Sequence, residues 1–238
     1  MKTFLVVLMS GVLFQQSAPA YFPVAHGSHA SVLLSTVIRV PESSRSALSD
    51  LVAIGFENHI PTGITVAHTP DRDPCGTPLN LKPGTMTVAD LISVIGATMP
   101  GYRAGLQNGV LEVAPIPLSD GTSQFLAMKL PKFQSSPAPH QLLGLTLWGL
   151  IQGVLAPGQG TNIVHPMSLS AETVTGMNIK DGTVKSVLDM IVDKGNGGVW
   201  ILKSSQIKTL SAESPMPYEI YGYVGDSQSL ASNMACSK

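Results

Sequence analysis

Charged side chains are scarce: Asp, Glu, Lys and Arg make up 12% of the 238 residues, about half the usual share of a soluble domain. The formal net charge is -1, so there is no basic stripe for nucleic acid and no polybasic patch for an anionic membrane. So little charge does little to keep molecules apart, which suits a protein that rests against other proteins. Cysteine is nearly absent. The 2 cysteines, Cys75 and Cys236, allow one intrachain bridge across a long loop, worth roughly 5 kcal/mol in the chain-entropy model if the chain is exported. Two free thiols are the other possibility, because Cys236 lies in a polar tail.

Catalytic signatures are missing as well. There is no Gly-x-Ser-x-Gly elbow, no phosphate-binding loop and no His-Glu-x-x-His pair. His26 and His29 are three apart, but "PVAHGSHAS" places Gly and Pro where a helix needs good formers, so a flexible segment is expected there. His59, His68, His140 and His165 are scattered among loop signals, without the Cys or paired carboxylates of a ligand set. Asp71, Arg72 and Asp73 form a solvated loop. "GNGG", Gly195 to Gly198, follows a helix instead of opening one, so it is a C-cap and turn and not a phosphate cradle. Trp200 on the next strand is core. The sequence therefore assigns no catalytic, cofactor-binding or metal-binding residue, and no cofactor.

What is present begins with a leader. "MKTFLVVLMSGVLFQQSAPA" has one early cation, an apolar run from Phe4 to Phe14 and small residues closing it at Ala18-Pro19-Ala20, the pattern of a secretory signal peptide over residues 1–20. Cleavage would leave Tyr21 first, in a mature chain without a stable transmembrane span.

Next comes a repetition. "LNLKPGTMTVADLISVI", from Leu79 to Ile95, returns as "MNIKDGTVKSVLDMI", from Met177 to Ile191. Val88, Leu91, Ile92 and Ile95 have the spacing of one helix face, as do Val184, Val187, Leu188 and Ile191. Thr87 with Asp90 forms a capping box, and Thr183 takes the same place with Ser186 as a weaker partner. Short strands precede these helices at Leu79–Leu81 and Met177–Ile179. Hairpins follow: "YRAGLQNGVLEV" turns at Asn108-Gly109, and "VWILKSSQIKTL" at the poorer Ser204-Ser205. Upstream, "VIRVP" is echoed by "AMKLP", each a strand stopped by proline. Each leads to a helical stripe, Ala47, Leu48, Leu51, Val52 and Phe56 or Leu143, Leu147, Leu150, Ile151 and Val154. Extended segments follow at Gly63–Ala67 and Thr161–Val164.

Both stretches thus run strand, helix, strand, strand, helix, hairpin, and neither helix pair can cover its apolar face without a sheet. An α+β fold of two tandem small sandwiches is expected, each a short, mostly antiparallel or mixed sheet under two helices. The first unit spans 32–114 and the second, more divergent, 125–210, with a polar linker at 115–124 and a tail at 211–238.

The pattern formed by Val40-Pro41, Ala47-Leu48, Leu51-Val52, Gly63-Ile64, Thr87, Leu91 and Val110–Val113 resembles the short N-terminal domain shared by secretins and TonB-dependent outer-membrane receptors. The match is fuller over Val32–Ala114 than over Phe125–Leu210. It implies a periplasmic or outer-membrane-associated, non-enzymatic interaction module, working with an envelope protein partner or by self-association. The chain departs from the family in lacking the long run of alternating strands that a barrel needs. A secreted hydrolase or a small-ligand-binding protein with its site between the units is the alternative. In "HQLLGLTLWGLIQGVLAP" apolar groups extend beyond the core stripe; either this face is buried between the two units, or Leu142, Leu145 and Trp148 are contacts with a second copy or an envelope partner, with Gly149 and Gly153 permitting close approach.

Overall fold

A computed structural model of the chain describes residues 28–42, 46–66, 75, 78–118, 120–155, 163–164, 173–195, 197–204 and 220–225. The signal-peptide stretch, Cys236, His26, His68 and His165 lie outside them.

The first element is a helix, α1 (Ser28–Ser35), where a flexible segment is expected from the sequence. Past Gly27 no Gly or Pro interrupts the run, and the hydroxyls of Ser35 and Thr36 donate back to the Val32 carbonyl at 3.0 Å each. Strand β1 (Val37–Val40) leads to α2 (Ala47–Glu57), whose N-cap is Ser46. At its far end Asn58 ties helix to strand: its amide nitrogen donates to the carbonyls of Ile54 and Arg39, and its amide oxygen accepts from the Arg39 N–H. Then come β2 (Thr62–Val66), β3 (Gly84–Thr87), α3 (Val88–Thr98), β4 (Tyr102–Gln107) and β5 (Val110–Pro115). Leu79 and Leu81 are buried without forming the expected strand, which begins later, at Gly84. Thr87 and Asp90 form the predicted capping box. Asn108 and Gly109, at φ 52 and 83, make the tight turn joining β4 and β5.

The second half begins with α4 (Asp120–Ala127) and β6 (Lys129–Ser135), followed by α5 (His140–Leu155), β7 (Ile163–Val164), β8 (Met177–Thr183), α6 (Val184–Lys194), β9 (Val199–Ser204) and β10 (Ile220–Gly225). Two boundaries differ from the sequence expectation. Residues 115–124 are not a free linker: Pro115 closes β5, and the second part opens α4, which buries Phe125 and Leu126 in the core. β9 pairs antiparallel with Ile220–Gly225, so a strand lies in the expected tail; the return half of the expected hairpin, from Ser205 to Leu210, lies outside the described residues. Ser186 also completes its capping box, accepting from the Thr183 N–H at 2.7 Å while Thr183 accepts from the Ser186 N–H at 3.1 Å.

The pairing plan is the same in both halves. β1 pairs antiparallel with β3, as β6 does with β8. β4 and β5 are antiparallel with β2 parallel to β5; β9 and β10 are antiparallel with β7 parallel to β10. The class is α+β. The two sets of three strands do not stay separate, because β2 pairs in parallel with β9 from Thr62↔Val199 to Val66↔Lys203. One six-stranded sheet results, in the order β4-β5-β2-β9-β10-β7.

Alternation along the strands puts a core on each face of this sheet. Leu111, Val113, Val199, Ile201 and Tyr223 face the first core, with the apolar sides of α2 and α3. Val110, Trp200, Leu202 and Val224 face the second, with α4, α5 and α6. Each half's helices thus lie on opposite sides of a shared sheet, and β9 is buried by both.

Candidate functional site

The joint between the halves is built by close approach. Thr62 donates its N–H to the Gly198 carbonyl at 3.1 Å. Gly197, at φ 95, lies against the His59 backbone so closely that a Cβ would fall 2.3 Å from its Cα. At Gly63 a Cβ would come within 2.4 Å of the Trp200 indole carbons, so the absence of a side chain on β2 is what lets the ring lie across the strand.

The indole is fixed from its other side. Trp200 Nε1 donates to Asp189 Oδ1 at 2.9 Å. Asp189 Oδ2 accepts from Lys185 Nζ at 2.6 Å, one turn back on α6, and the same ammonium also meets Glu112 on β5. The side chains are 6%, 20% and 14% exposed for Asp189, Lys185 and Glu112. A chain of contacts therefore runs from the first half's hairpin, through Lys185 and Asp189 on the second half's helix, to Trp200 on the shared strand.

Two carboxylates and one ammonium in a site this dry cannot all keep their ordinary proton affinities. Burial pushes the Glu112 carboxyl up to about 7, with Asp189 adding to the rise and Lys185 and Arg103 opposing it. Burial raises Asp189 too, against the pull of Lys185 and the Trp200 hydrogen bond. For Lys185 burial favours the neutral amine, but Asp189 and Glu112 outweigh it and the net shift is upward, so the ammonium stays charged. Arg103 on β4 is lowered by burial, with Glu112 opposing.

None of these four charged residues was a candidate from sequence. Lys185 and Asp189 are an i,i+4 pair beside the stripe Val184, Val187, Leu188 and Ile191, and Glu112 alternates with buried Leu111 and Val113. Both patterns ordinarily mark a solvated face. The available signal was an acid–base pair flanking an apolar stripe on a helix whose sheet had two faces to cover.

The sequence-derived partner contacts separate. Leu142 is 50% exposed and Leu145 half-buried, whereas Trp148 is 3% exposed and packs in the second core beside Leu143, Leu147 and Ile151. Trp148 lies about one and two-thirds turns beyond Leu142, well round the helix and on its inner side. The three residues therefore do not form one surface. Gly149 and Gly153 are exposed with open space at their Cβ positions. His140, expected in a loop, opens α5 fully buried against Gly195, where a Cβ would fall 1.7 Å from Nε2. Trp200 is core, as expected. Cys75 is disulfide-bonded, and Cys236 is the only other cysteine of the chain.

Among the described residues no group of three or more His, Cys, Asp or Glu side chains could hold a metal ion, and no helix is long and apolar enough to cross a membrane. No protein-family model, curated protein or solved structure matches the chain.

Proposed function

We propose that the protein is an exported, non-enzymatic interaction module of the bacterial envelope, related in plan to the periplasmic N-terminal domains of secretins and TonB-dependent receptors and carrying that plan twice. The observation that supports it is the recurrence, in both halves, of one element order with one set of strand pairings, which is the order the resemblance implies. The outer face of α5, with Leu142 exposed and Gly149 and Gly153 open beside it, is the proposed contact with an envelope partner.

The test has two parts. Protein produced in an outer-membrane-bearing host is fractionated and its N-terminus sequenced; Tyr21 in the periplasmic fraction is expected, and an intact Met1 in the cytosol overturns export. The mature protein is then used to capture partners from envelope extract beside Leu142→Asp. A specific partner lost in the variant is expected, and equal capture by both proteins removes α5 as the contact.

The alternative of a hydrolase or ligand-binding protein with its site between the halves is favoured by one feature, the buried carboxylates Glu112 and Asp189 at the joint. Hydrolysis of an ester or amide panel, or binding of a small ligand, that disappears in Glu112→Gln would select that reading.

A further inference from the structure

We propose that Glu112, Lys185 and Asp189 form a proton-operated latch across the joint between the two halves, tightening as the pH falls. The latch depends on the fold alone and not on the envelope reading.

The geometry carries the proposal. Glu112 belongs to β5 of the first half, and Lys185 and Asp189 to α6 of the second; one ammonium contacts both carboxylates. Among the described residues the other charged and polar groups that act on them are Arg103 on β4, Asp193 on α6 and the Trp200 indole on β9; on β2, Gly63 leaves room for that indole. With both acids ionised, the site buries two negative charges on one ammonium and leans on Arg103 at the sheet edge for the remainder. Excess charge in so dry a site is costly. When Glu112 takes a proton it becomes a neutral hydroxyl donor, and Lys185 is left to Asp189 as a matched pair. Asp189 in turn holds the indole that spans Gly63, so the uptake of one proton is felt at the β2–β9 ladder. Burial raises Glu112 to about 7, which places the event near neutrality.

The experiment follows the two indole N–H signals of the 2 tryptophans by nitrogen-15 NMR from about pH 5 to about pH 9, with Trp200 assigned by Trp200→Phe. Amide exchange in β2 and β9 is measured in parallel and corrected for the intrinsic pH dependence of exchange. The Trp200 signal should move with a midpoint near about 7, and the β2 and β9 amides should be severalfold better protected at about pH 6 than at about pH 8. Glu112→Gln should abolish the midpoint and keep the stronger protection at both values. Asp189→Asn leaves Lys185 to Glu112 alone and should move the midpoint down by roughly a unit or more. A salt bridge with only a structural role would change stability in these variants without removing the midpoint. A titration that survives Glu112→Gln, protection that is greater at alkaline pH, or an indole signal that does not move overturns the latch.

Discussion

Adding one methyl group at Gly63 tests how the halves are joined. In Gly63→Ala the new Cβ would sit 2.4 Å from Cε2 and Cζ2 of Trp200 and 2.7 Å from Nε1. Those atoms are the body of a rigid ring, held on one side by the Asp189 hydrogen bond and on the other by a strand paired to β2 and β10. The ring must move or the strands must part. Overpacking of this kind costs about 1–3 kcal/mol, and displacing the indole from an ionised acceptor adds about 1.5–3 kcal/mol if that bond is lost. A total of roughly 2.5–6 kcal/mol corresponds, at about 2–4 °C per kcal/mol for a chain of this size, to a melting point lower by roughly 5–24 °C. Gly105→Ala on β4 is the control, because its Cβ meets nothing within 4 Å and its φ is not positive. It should melt within about 2 °C of the parent. Differential scanning calorimetry of the two variants, of Trp200→Leu, and of Gly63→Ala combined with Trp200→Leu completes the test. The double variant should be more stable than the sum of its parts by about 1 kcal/mol or more, since the smaller side chain relieves the clash. If Gly63→Ala melts like Gly105→Ala, or the pair is additive, the indole does not lie across β2 and this account of the joint is wrong.

Glu112 should make stability depend on pH: folding raises it from 4.5 to about 7, so the folded chain keeps a proton that the unfolded chain releases. Stability from this group is complete below about pH 4.5 and is lost as pH rises through about 7, at most ~3 kcal/mol; urea unfolding at several pH values should show that slope flattened in Glu112→Gln. Trp148→Ala should cost roughly 3–5 kcal/mol by opening a cavity in the second core, while Leu142→Asp stays within about 0.5 kcal/mol in the same melts. Thr87→Ala removes the side-chain acceptor for the Asp90 N–H at the start of α3 and should cost ~1 kcal/mol, whereas Ser93→Ala, on the exposed side of that helix, should cost far less. Cys75 is bonded, so it should resist alkylation in the folded protein until a reductant is added; ready labelling without reductant would contradict the bridge.

Much of the fold was legible because its parts are local. The stripes of α2, α3, α5 and α6 recur every three or four residues, and a helix that buries one side cannot avoid that spacing. Asn108-Gly109 marked its hairpin because few pairs tolerate positive φ at both turn positions. Where local signals were weak the expectation failed. Ser204-Ser205 has no such preference, and the strand that pairs antiparallel with β9 lies at Ile220–Gly225, beyond the reach of turn chemistry. In α4, "DGTSQFLA" is polar for five residues before Phe125 and Leu126, so composition suggested a linker where packing makes a helix.

The joint was illegible for a different reason. A parallel pair such as β2 with β9 needs no turn between its strands, so nothing in the intervening sequence announces it. Gly63 and Trp200 are complementary only after the sheet has formed, and a glycine in a strand suggests a close approach without naming what approaches. The charged cluster inherits the same difficulty. Glu112 and Lys185 are 73 positions apart, and each taken alone belongs to a pattern that ordinarily faces water. Only when both faces of the sheet are known to be covered does an outward-alternating glutamate become a buried one. Burial then turns a routine surface pair into a site with a shifted proton affinity. The joint is thus where residues of ordinary type acquire properties that neither half gives them alone.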